Sequence, residues 1–371
     1  MQQNERPRTR RVFLQEASAL LGGAAIAGIT TSQAAASSRR RAAGLGIALV
    51  GLGNYATGQL APALQETERC HLAGIVTGTP AKAERWMQEY DIPTSNVYDY
   101  DSFDEIAGNA DVDIVYVVLP NSMHPEYVIR AAEAGKHVIT EKPMATSAAD
   151  CERMIEACDR AGVKLSVGYR LQFEPRHQEI MRLGQEEVYG PVTAVEGSFA
   201  FTYRDTDAWR FSKEMAGGGA LLDVGIYSIQ GARYTIGEEP VSVRASAYNT
   251  RPDIFTEIYE TILWDMQFPG GAVSTHTTSY SGNVNRLYMM STRGWAEINP
   301  AYSYGGLSGR TSEGAMDFPQ VTQQALQMDD FARCIEEDEE SRVPGEEGLR
   351  DMKVIEAIYR SIDSGSEWVD V

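Results

Sequence analysis

The sequence predicts an α/β protein with a doubly wound parallel sheet, followed by an α+β domain with a large, mostly antiparallel open sheet. Up to about residue 167, short apolar runs alternate with helical patterns, which is typical of parallel strands buried on both faces. From Gly168 onward, longer alternating strands are linked by hairpin-like turns. The length of 371 residues is sufficient for two domains of ordinary size.

The first 36 residues are predicted to be a twin-arginine signal peptide. Thr9–Leu14 contains the arginine pair, Ala17–Ile29 is an apolar run, and Ala34–Ala36 is a small-residue cleavage site. An amphipathic anchor fits poorly, because the run is short and has no charged face. We therefore expect export of the folded protein to the periplasm, with no membrane attachment after cleavage. Export in the folded state suits a protein that acquires a cofactor in the cytoplasm.

The composition argues against several kinds of partner. The formal net charge of −19 repels nucleic acid and anionic lipid, so we expect neither. The abundance of acidic residues, with far more arginine than lysine, resembles adaptation to high salt. The four cysteines form no CxxC pair and no cluster with histidine. Cys151 and Cys158 are too far apart on one predicted helix to form a disulfide. We expect buried free thiols and no metal site.

A glycine-rich turn follows the first predicted strand. Ile47–Val50 leads into Gly51-Leu52-Gly53-Asn54-Tyr55-Ala56, and a helical pattern then begins. This is the G-x-G-x-x-A form of the dinucleotide-binding Rossmann turn. Gly51 allows the tight turn, Gly53 leaves room for a pyrophosphate, and Ala56 lets the helix pack on the strand. The motif alone is as compatible with a simple tight turn, but the strand–helix alternation that follows favours a Rossmann domain over residues 37–167.

The remaining elements follow from hydrophobic periodicity. Further parallel strands are predicted at Leu72–Val76, Asp113–Pro120, His137–Thr140 and Lys164–Val167, with helices over about 81–90, 125–134 and 147–161. The second domain is predicted over residues 168–371. Its predicted strands are Val192–Tyr203, Val241–Tyr248, Glu257–Phe268, Ala272–Tyr280 and Asn285–Ser291. Helices near Leu221–Tyr234, Gln320–Glu337 and Gly348–Gly365 are expected to cover one face of this sheet.

The end of the second strand bears on the choice of cofactor. NAD-binding folds usually place Asp or Glu there to accept from the ribose 2′-hydroxyl. This chain has Thr77, with Lys82 and Arg85 shortly after it. A hydroxyl and two cations suit the 2′-phosphate of NADP, which a carboxylate would repel. Alone, the two cations could be the solvated face of a helix, but together with the missing acid they favour NADP.

Two segments carry candidate catalytic side chains. Lys142 follows a strand at the carboxyl edge of the sheet, where ligands bind in such folds. Asp223 and Tyr227 follow three glycines and share one face of a predicted helix. An ammonium beside a tyrosine hydroxyl favours its ionised form, which suits a general base. If the three do not converge, Lys142 is a surface cation and Tyr227 a core residue.

Taken in order, the motifs resemble those of the Gfo/Idh/MocA oxidoreductase family. Gly51–Ala56, Pro120–His124, Glu141–Pro143 and Gly217–Tyr227 carry this resemblance over essentially the whole mature chain. It is strongest to the glucose–fructose oxidoreductase branch of the family. The segments that resemble this branch are Gly168–Arg170, Ala208–Arg210, Gly237–Pro240 and Pro344–Gly348, together with Tyr227, where many members carry histidine.

The resemblance implies roles for the site residues. Lys142 would orient the sugar hydroxyl and tune the base, Tyr227 would transfer the proton, and Asp223 would bind the sugar. Hydride would pass between sugar C1 and nicotinamide C4. Implied contacts to NADP, beyond the glycine turn, are Thr77, Lys82, Tyr100, Leu119, Asn121, His124, Glu141, Lys142, Arg170, Trp209 and Arg210. The face of the second sheet would form the sugar site and the interface of a homo-oligomer, a dimer or tetramer.

These observations predict an NADP-dependent enzyme that oxidises an aldose at C1 to the lactone. Because free NADP is not expected outside the cytoplasm, the enzyme would keep its cofactor and reduce a second sugar. Glucose–fructose oxidoreductases carry a proline-rich arm that encloses the cofactor, whereas only Ser37–Gly44 separates the cleavage site from the first strand here. A simple dehydrogenase with dissociable cofactor therefore stays open. So do a nicotinamide-dependent glycosidase, which Thr77 and Lys82 disfavour, and a non-catalytic binding protein.

Overall fold

The computed structural model describes residues 44–371 and has the two predicted sheets. The twin-arginine segment, the cleavage site and most of the short connection after it lie outside the described residues. Within residues 44–371, no helix is both long and apolar enough to span a bilayer. Cys70, Cys151, Cys158 and Cys334 are buried free thiols, as expected from their spacing.

The first sheet has six parallel strands in the order β3-β2-β1-β4-β5-β6. They are β1 (Leu45–Val50), β2 (Cys70–Val76), β3 (Val97–Tyr98), β4 (Ile114–Val117), β5 (His137–Thr140) and β6 (Leu165–Val167). The connecting helices are α1, a π-helical segment Ala56–Leu60 continued by Ala61–Ala63, then α2 (Pro80–Tyr90), α3 (His124–Glu133) and α4 (Ala148–Ala161). The strand order changes direction between β1 and β4, and doubly wound sheets bind ligands beside that point.

β1 is buried on both faces, as its apolar sequence requires. Ile47 and Leu49 pack on one face with Trp86 of α2, whereas Ala48 and Val50 belong to the core on the other face. No residue of β1 after Leu45 is even partly exposed. The carboxyl end of this strand, which leads into the glycine turn, is therefore held rigidly from both sides.

The second sheet has nine strands in the order β14-β13-β12-β11-β7-β10-β9-β8-β15, and only β7 and β10 pair in parallel. The strands are β7 (Val192–Ala200), β8 (Ser242–Tyr248), β9 (Thr261–Gln267), β10 (Val273–Ser279), β11 (Val284–Ser291), β12 (Gly294–Ile298), β13 (Gly309–Thr311), β14 (Gly314–Met316) and β15 (Val369–Asp370). In β9, Ile262, Trp264 and Met266 are buried while Leu263 is exposed, so one face of the sheet packs on helices and the other is open.

Five helices follow the first sheet in the chain. They are α5 (Pro175–Gln185), α6 (Lys213–Ala216), α7, a π-helical segment Leu221–Gly225 continued by Ile226–Ile236, α8 (Gln323–Glu336) and α9 (Gly345–Asp363). Helix α7 lies on β7, and α9 packs on β8 and α4. Both covering helices were therefore predicted correctly, although α9 also contacts the first domain.

The prediction that the helix near residues 320–337 covers the antiparallel sheet is wrong. Met328 and Phe331 of α8 belong to the core formed by Ile47 and Leu49 of β1. The chain thus returns to the parallel sheet after completing the antiparallel one. An amphipathic pattern shows that a helix buries one face, but it does not show which apolar surface receives that face.

Candidate active site

A cavity of about 580 Å³ opens at the carboxyl edge of the parallel sheet, between that edge and α7. Its volume lies within the range of small-molecule sites. Backbone hydrogen bonds fix the register of the strand ends: Gly51 N–H donates to Val76, Val118 N–H to Val50 and Glu141 N–H to Val117. The segments that follow β1, β2, β4 and β5 are consequently brought to one edge.

The turn between β1 and α1 contains two glycines with different roles. Gly51 has φ +93°, and a Cβ at this position would lie 2.5 Å from the carbonyl oxygen of Val118. A Cβ at Gly53 would meet nothing within 4 Å, so open space lies in front of this residue. The first-turn N–H groups of a helix have no intrahelical partners. The space at Gly53, at the start of α1, therefore fits a pyrophosphate.

The segment after β2 presents hydroxyl and amine groups to the cavity. The hydroxyl of buried Thr77 accepts a hydrogen bond from the Thr79 N–H at 3.3 Å. Lys82 Nζ donates to the carbonyl oxygen of Leu52 in the glycine turn at 3.0 Å. The carboxylates that line the cavity belong to Glu141, after β5, and to Asp223, in α7. A 2′-phosphate at the end of β2 would meet Lys82 and no acid from this segment.

Glu141 and Lys142 follow β5, and a cis peptide bond joins Lys142 to Pro143. Glu141 is buried and accepts a hydrogen bond from the Tyr116 hydroxyl at 2.6 Å. Burial raises the pKa of Glu141, although Tyr116 and Lys142 oppose this shift. A Cβ at residue 168 would lie 2.7 Å from the Glu141 carboxylate, so Gly168 leaves the space that this side chain occupies.

Asp223 lies at the centre of a polar network inside the cavity. Its carboxylate accepts from the Tyr280 hydroxyl at 2.9 Å and lies 3.2 Å from Arg210 Nε and 3.6 Å from Lys142 Nζ. The ammonium of Lys142 also donates to the backbone oxygen of Asp223 at 2.6 Å. Burial alone would raise the pKa of Asp223, but Arg210 and Lys142 outweigh it and lower that pKa. The carboxylate is therefore held ionised.

The Tyr227 ring is packed between cations and other aromatic rings. Lys142 Nζ lies 4.7 Å from the ring centre, and the Arg170 guanidinium lies 5.1 Å from it. The rings of Phe199 and Tyr302 have their centres 5.8 and 6.0 Å away. The lysine, aspartate and tyrosine singled out in the sequence thus meet in one place.

The site residues suggested by the sequence line this cavity, with the exceptions of Ala56, Arg85 and Arg170. The lining members are Gly51, Leu52, Gly53, Asn54, Tyr55, Thr77, Lys82, Tyr100, Leu119, Asn121, His124, Glu141, Lys142, Trp209, Arg210, Asp223 and Tyr227. Ala56 is buried at the start of α1. Arg170 is 2% exposed and lies behind residues that line the cavity, where it donates to the backbone oxygens of Tyr302 and Ser303.

Comparisons with known proteins agree with this geometry. The model of the Gfo/Idh/MocA oxidoreductase family, with its NAD-binding Rossmann fold, matches residues 45–169, and the model of the Gfo/Idh/MocA C-terminal domain matches residues 177–297. The chain belongs to the Gfo/Idh/MocA oxidoreductase family. The predictions of this family and of an oxidoreductase are thereby confirmed.

Three members of the Gfo/Idh/MocA family show the extent of the similarity. The D-xylose 1-dehydrogenase (NADP(+)) of Haloarcula marismortui is 29% identical over 86% of this chain and 91% of its own length. The D-xylose 1-dehydrogenase (NADP(+)) 2 of Haloferax volcanii is 30% identical over 86% of this chain and 97% of its own. The crystal structure of aldose-aldose oxidoreductase from Caulobacter crescentus, complexed with glycerol, is 42% identical with a TM-score of 0.86 and covers 88% of this chain and all of that one.

The cavity also has lining residues that sequence reasoning missed. They are Gly78, Thr79, Val118 and Tyr304, whereas Pro120, which also lines the cavity, belongs to the Pro120–His124 motif. Gly78, Thr79 and Val118 are neighbours of residues already singled out, so they could have been found by extending each motif by one or two positions. Tyr304 has no such signal, because it lies on an irregular loop between β12 and β13, far along the chain from any motif.

His124 lines the cavity but is fully buried, and both ring nitrogens face protein carbonyls. Nε2 lies 2.8 Å from the oxygen of Leu119, and Nδ1 lies 3.0 Å from that of Pro143. Burial lowers the pKa of His124 against these hydrogen bonds, which favours a neutral ring. The neutral ring donates from one nitrogen only, so the side chain is hydrogen-bonded to one of these carbonyls and packs against the other, between the turn that carries Lys142 and the loop after β4.

Proposed function

We propose that this protein oxidises an aldose at C1 to its lactone with NADP⁺ and passes the hydride to a second sugar, such as a ketose that becomes a polyol. The observation that carries the proposal is the meeting of Lys142, Asp223 and Tyr227 in the cavity that begins at the glycine turn. The similarity to D-xylose dehydrogenases and to an aldose-aldose oxidoreductase supports sugar oxidoreduction as the general activity.

NADP is the cofactor that the cavity fits. The open space at Gly53 accommodates a pyrophosphate, and Thr77 and Lys82 provide polar and positive groups for a 2′-phosphate. Both D-xylose 1-dehydrogenases similar to this chain carry NADP(+) in their names. When bound, the nicotinamide ring supplies the hydride acceptor for the sugar C1–H.

In this proposal Lys142 and Asp223 bind the sugar, and Tyr227 transfers the proton. An ammonium has three donors, and Lys142 uses one on the backbone oxygen of Asp223, so others are free for a sugar hydroxyl. The ionised Asp223 carboxylate can accept from sugar hydroxyls, since Arg210 and Lys142 hold it charged. Tyr227 would take the proton of the C1 hydroxyl as hydride leaves C1, which yields the lactone. In the reverse half-reaction Tyr227 would return that proton to the carbonyl oxygen of the second sugar.

Retention of the cofactor and coupling to a second sugar are proposed on the grounds of location. The sequence up to residue 36 has the features of a twin-arginine signal, so we place the mature protein in the periplasm. Free NADP is scarce there, so an enzyme with resident cofactor must regenerate it through a second substrate. We also propose a homo-oligomer, because the open face of the antiparallel sheet exposes apolar side chains such as Leu263 and Val273.

The first test is the absorbance of purified, desalted mature protein before and after addition of an aldose alone, with D-glucose and D-xylose in the panel. A band of reduced nicotinamide without added NADP⁺ is expected, and a ketose should then bleach it. A band that needs added NADP⁺ would overturn retention and leave a dissociable aldose dehydrogenase. No band with any aldose, with or without NADP⁺, would contradict the oxidoreductase proposal.

Two substitutions test the roles proposed for Lys142 and Tyr227. Lys142→Met and Tyr227→Phe should each lower the rate of aldose oxidation by at least ~10²-fold, because each removes a group that acts on the transferred proton. Lys353→Met is the control, since Lys353 is exposed on α9 and does not line the cavity. Normal NADPH binding by the variants would show that their site is intact. Wild-type rates in both variants would contradict the proposed roles.

A further inference from the structure

Tyr304 brings the second domain into contact with the glycine turn of the first. It is the one residue of the loop between Ile298 and Gly309 that lines the cavity. Its ring centre lies 5.7 Å from that of Tyr55, which follows the glycines, with an interplanar angle of 35°. The Tyr304 side chain is half exposed. The two rings therefore face each other across the two domains, next to Arg170, whose guanidinium also contacts Tyr227, and so beside the candidate catalytic residues.

The loop that carries Tyr304 is fixed on its N-terminal side. Asn285 Oδ1 accepts from the N–H groups of Ala301 and Tyr302 at 2.8 and 2.7 Å. Arg170 donates to the backbone oxygens of Tyr302 and Ser303 at 2.7 and 3.1 Å. Four backbone groups just before Tyr304 are thus held by side chains, so its Cα has a defined position.

The Tyr304 ring packs against the buried guanidinium of Arg170. The guanidinium carbon of Arg170 lies 4.5 Å from the ring centre, and Arg170 itself is 2% exposed. A cation–π contact is stronger when the cation is desolvated. On the other side of Tyr304, a Cβ at either Gly305 or Gly306 would meet nothing within 4 Å. Side chains hold this part of the loop too, since Gln323 Nε2 donates to the Tyr304 oxygen at 3.4 Å and the Gly306 N–H donates to Gln320 Oε1 at 3.0 Å. The Tyr304 ring can therefore move by rotation of its side chain on a backbone that is fixed on both sides.

We propose that Tyr304 and Tyr55 form a gate over the dinucleotide cavity, and that Tyr304 sets the rate at which NADP(H) leaves. The inference rests on the proposed function, because it requires a dinucleotide in the cavity. Since the two rings come from different domains, a dinucleotide that lies beneath them can leave only when the rings separate. Arg170 acts through Tyr304 as a positioning residue, because it does not line the cavity but contacts the Tyr304 ring, as it also contacts that of Tyr227.

The test measures release of NADPH by stopped-flow fluorescence, with excess NADP⁺ to prevent rebinding. Tyr304→Ala removes one ring of the gate and should release NADPH ~3- to 10-fold faster than wild type, the range that an aromatic pair contributes. Tyr304→Phe keeps the ring and should release NADPH at the wild-type rate. Tyr248→Ala is the control, since Tyr248 is an exposed tyrosine outside the cavity.

The outcomes separate the gate from the proposed function. If wild type binds NADPH and Tyr304→Ala releases it no faster, the gate is wrong and the proposed function stands. Equal acceleration in Tyr304→Phe would also refute it, because the ring would not be the group that matters. If wild type binds no NADPH, both proposals fail. Unfolding temperatures confirm that each variant is folded, which the half-exposed position of Tyr304 favours.

Discussion

At the scale of single side chains, the choice between NADP and NAD depends on Lys82. Its ammonium lies in the cavity and donates to the Leu52 oxygen, so it is already oriented toward the glycine turn. Arg85, one turn further along α2, is exposed and does not line the cavity. The sequence offered both cations for the 2′-phosphate, and the structure distinguishes them by position.

We expect Lys82→Gln to raise the Kd for NADPH by ~10- to 100-fold, because a hydrogen bond to a charged group is typically worth ~1.5–3 kcal/mol. The Kd for NADH, which has no 2′-phosphate, should change little. Fluorescence titration of the cofactor-free protein with both cofactors measures this.

Arg85→Gln provides the matched control, since it removes a cation from the same helix without touching the cavity. Its Kd for NADPH should equal that of wild type. An increase as large as that of Lys82→Gln would mean that the general charge of α2, and not one contact, favours NADP.

Single residues also show where sequence reasoning stops. Lys142, Asp223 and Tyr227 could be found because each lies in a motif next to a predicted strand or helix. Arg170 was expected to contact the cofactor, yet it is buried behind the cavity and contacts Tyr227 and Tyr304 instead. A motif places a residue near the site, but burial decides whether its side chain reaches the cavity or supports a neighbour that does.

At the scale of elements, the β1–α1 turn separates a folding requirement from a binding requirement. Gly51 needs a positive φ and has a carbonyl 2.5 Å from the position of a Cβ. Gly53 has only open space in front of it. Both glycines belong to one motif, but the physical reasons for them differ.

Gly51→Ala should therefore lower the free energy of unfolding by ~1–3 kcal/mol, because it combines backbone strain with a steric clash. Gly53→Ala should leave that free energy within ~0.5 kcal/mol of wild type and weaken NADP⁺ binding by at least ~10-fold, because its methyl group fills the pyrophosphate space. Urea unfolding without cofactor and NADPH titration measure the two effects. Equal stability losses in both variants would contradict this division of roles.

The elements differ in how well the sequence predicts them. β1, β2, β4 and β5 are continuous apolar runs, so their parallel sheet was predictable. The short strands β12 to β15 and helix α5 were not predicted, since two to five residues give little periodic signal and α5 is interrupted by polar residues. Helix α8 was found, but its packing on the parallel sheet depends on a long-range contact that no local pattern records.

At the scale of the whole molecule, a buried charge cluster joins the helix of the candidate site to the C-terminal helix. Arg233, on α7 after Tyr227, is 4% exposed and pairs with Asp351 of α9 at 2.6 Å and Glu347 at 3.1 Å. It also pairs with Glu239 at 2.6 Å. Since α9 packs on both β8 and α4, this cluster connects Tyr227 to both sheets.

Arg233→Met should lower the free energy of unfolding by ~3–5 kcal/mol, because it leaves the fully buried carboxylate of Asp351 and the mostly buried one of Glu347 without their cation. The measurement is urea unfolding at pH 8, above the pKa of about 7 to which burial raises Asp351 despite the opposing effect of Arg233. Arg244→Met is the matched control, since Arg244 pairs with Asp265 at 2.8 Å but the two side chains are 49% and 36% exposed. An exposed pair contributes ~1 kcal/mol or less. If the two variants lost equal stability, the buried cluster would not be what holds α7 to α9, and apolar packing between these helices would have to account for the position of Tyr227.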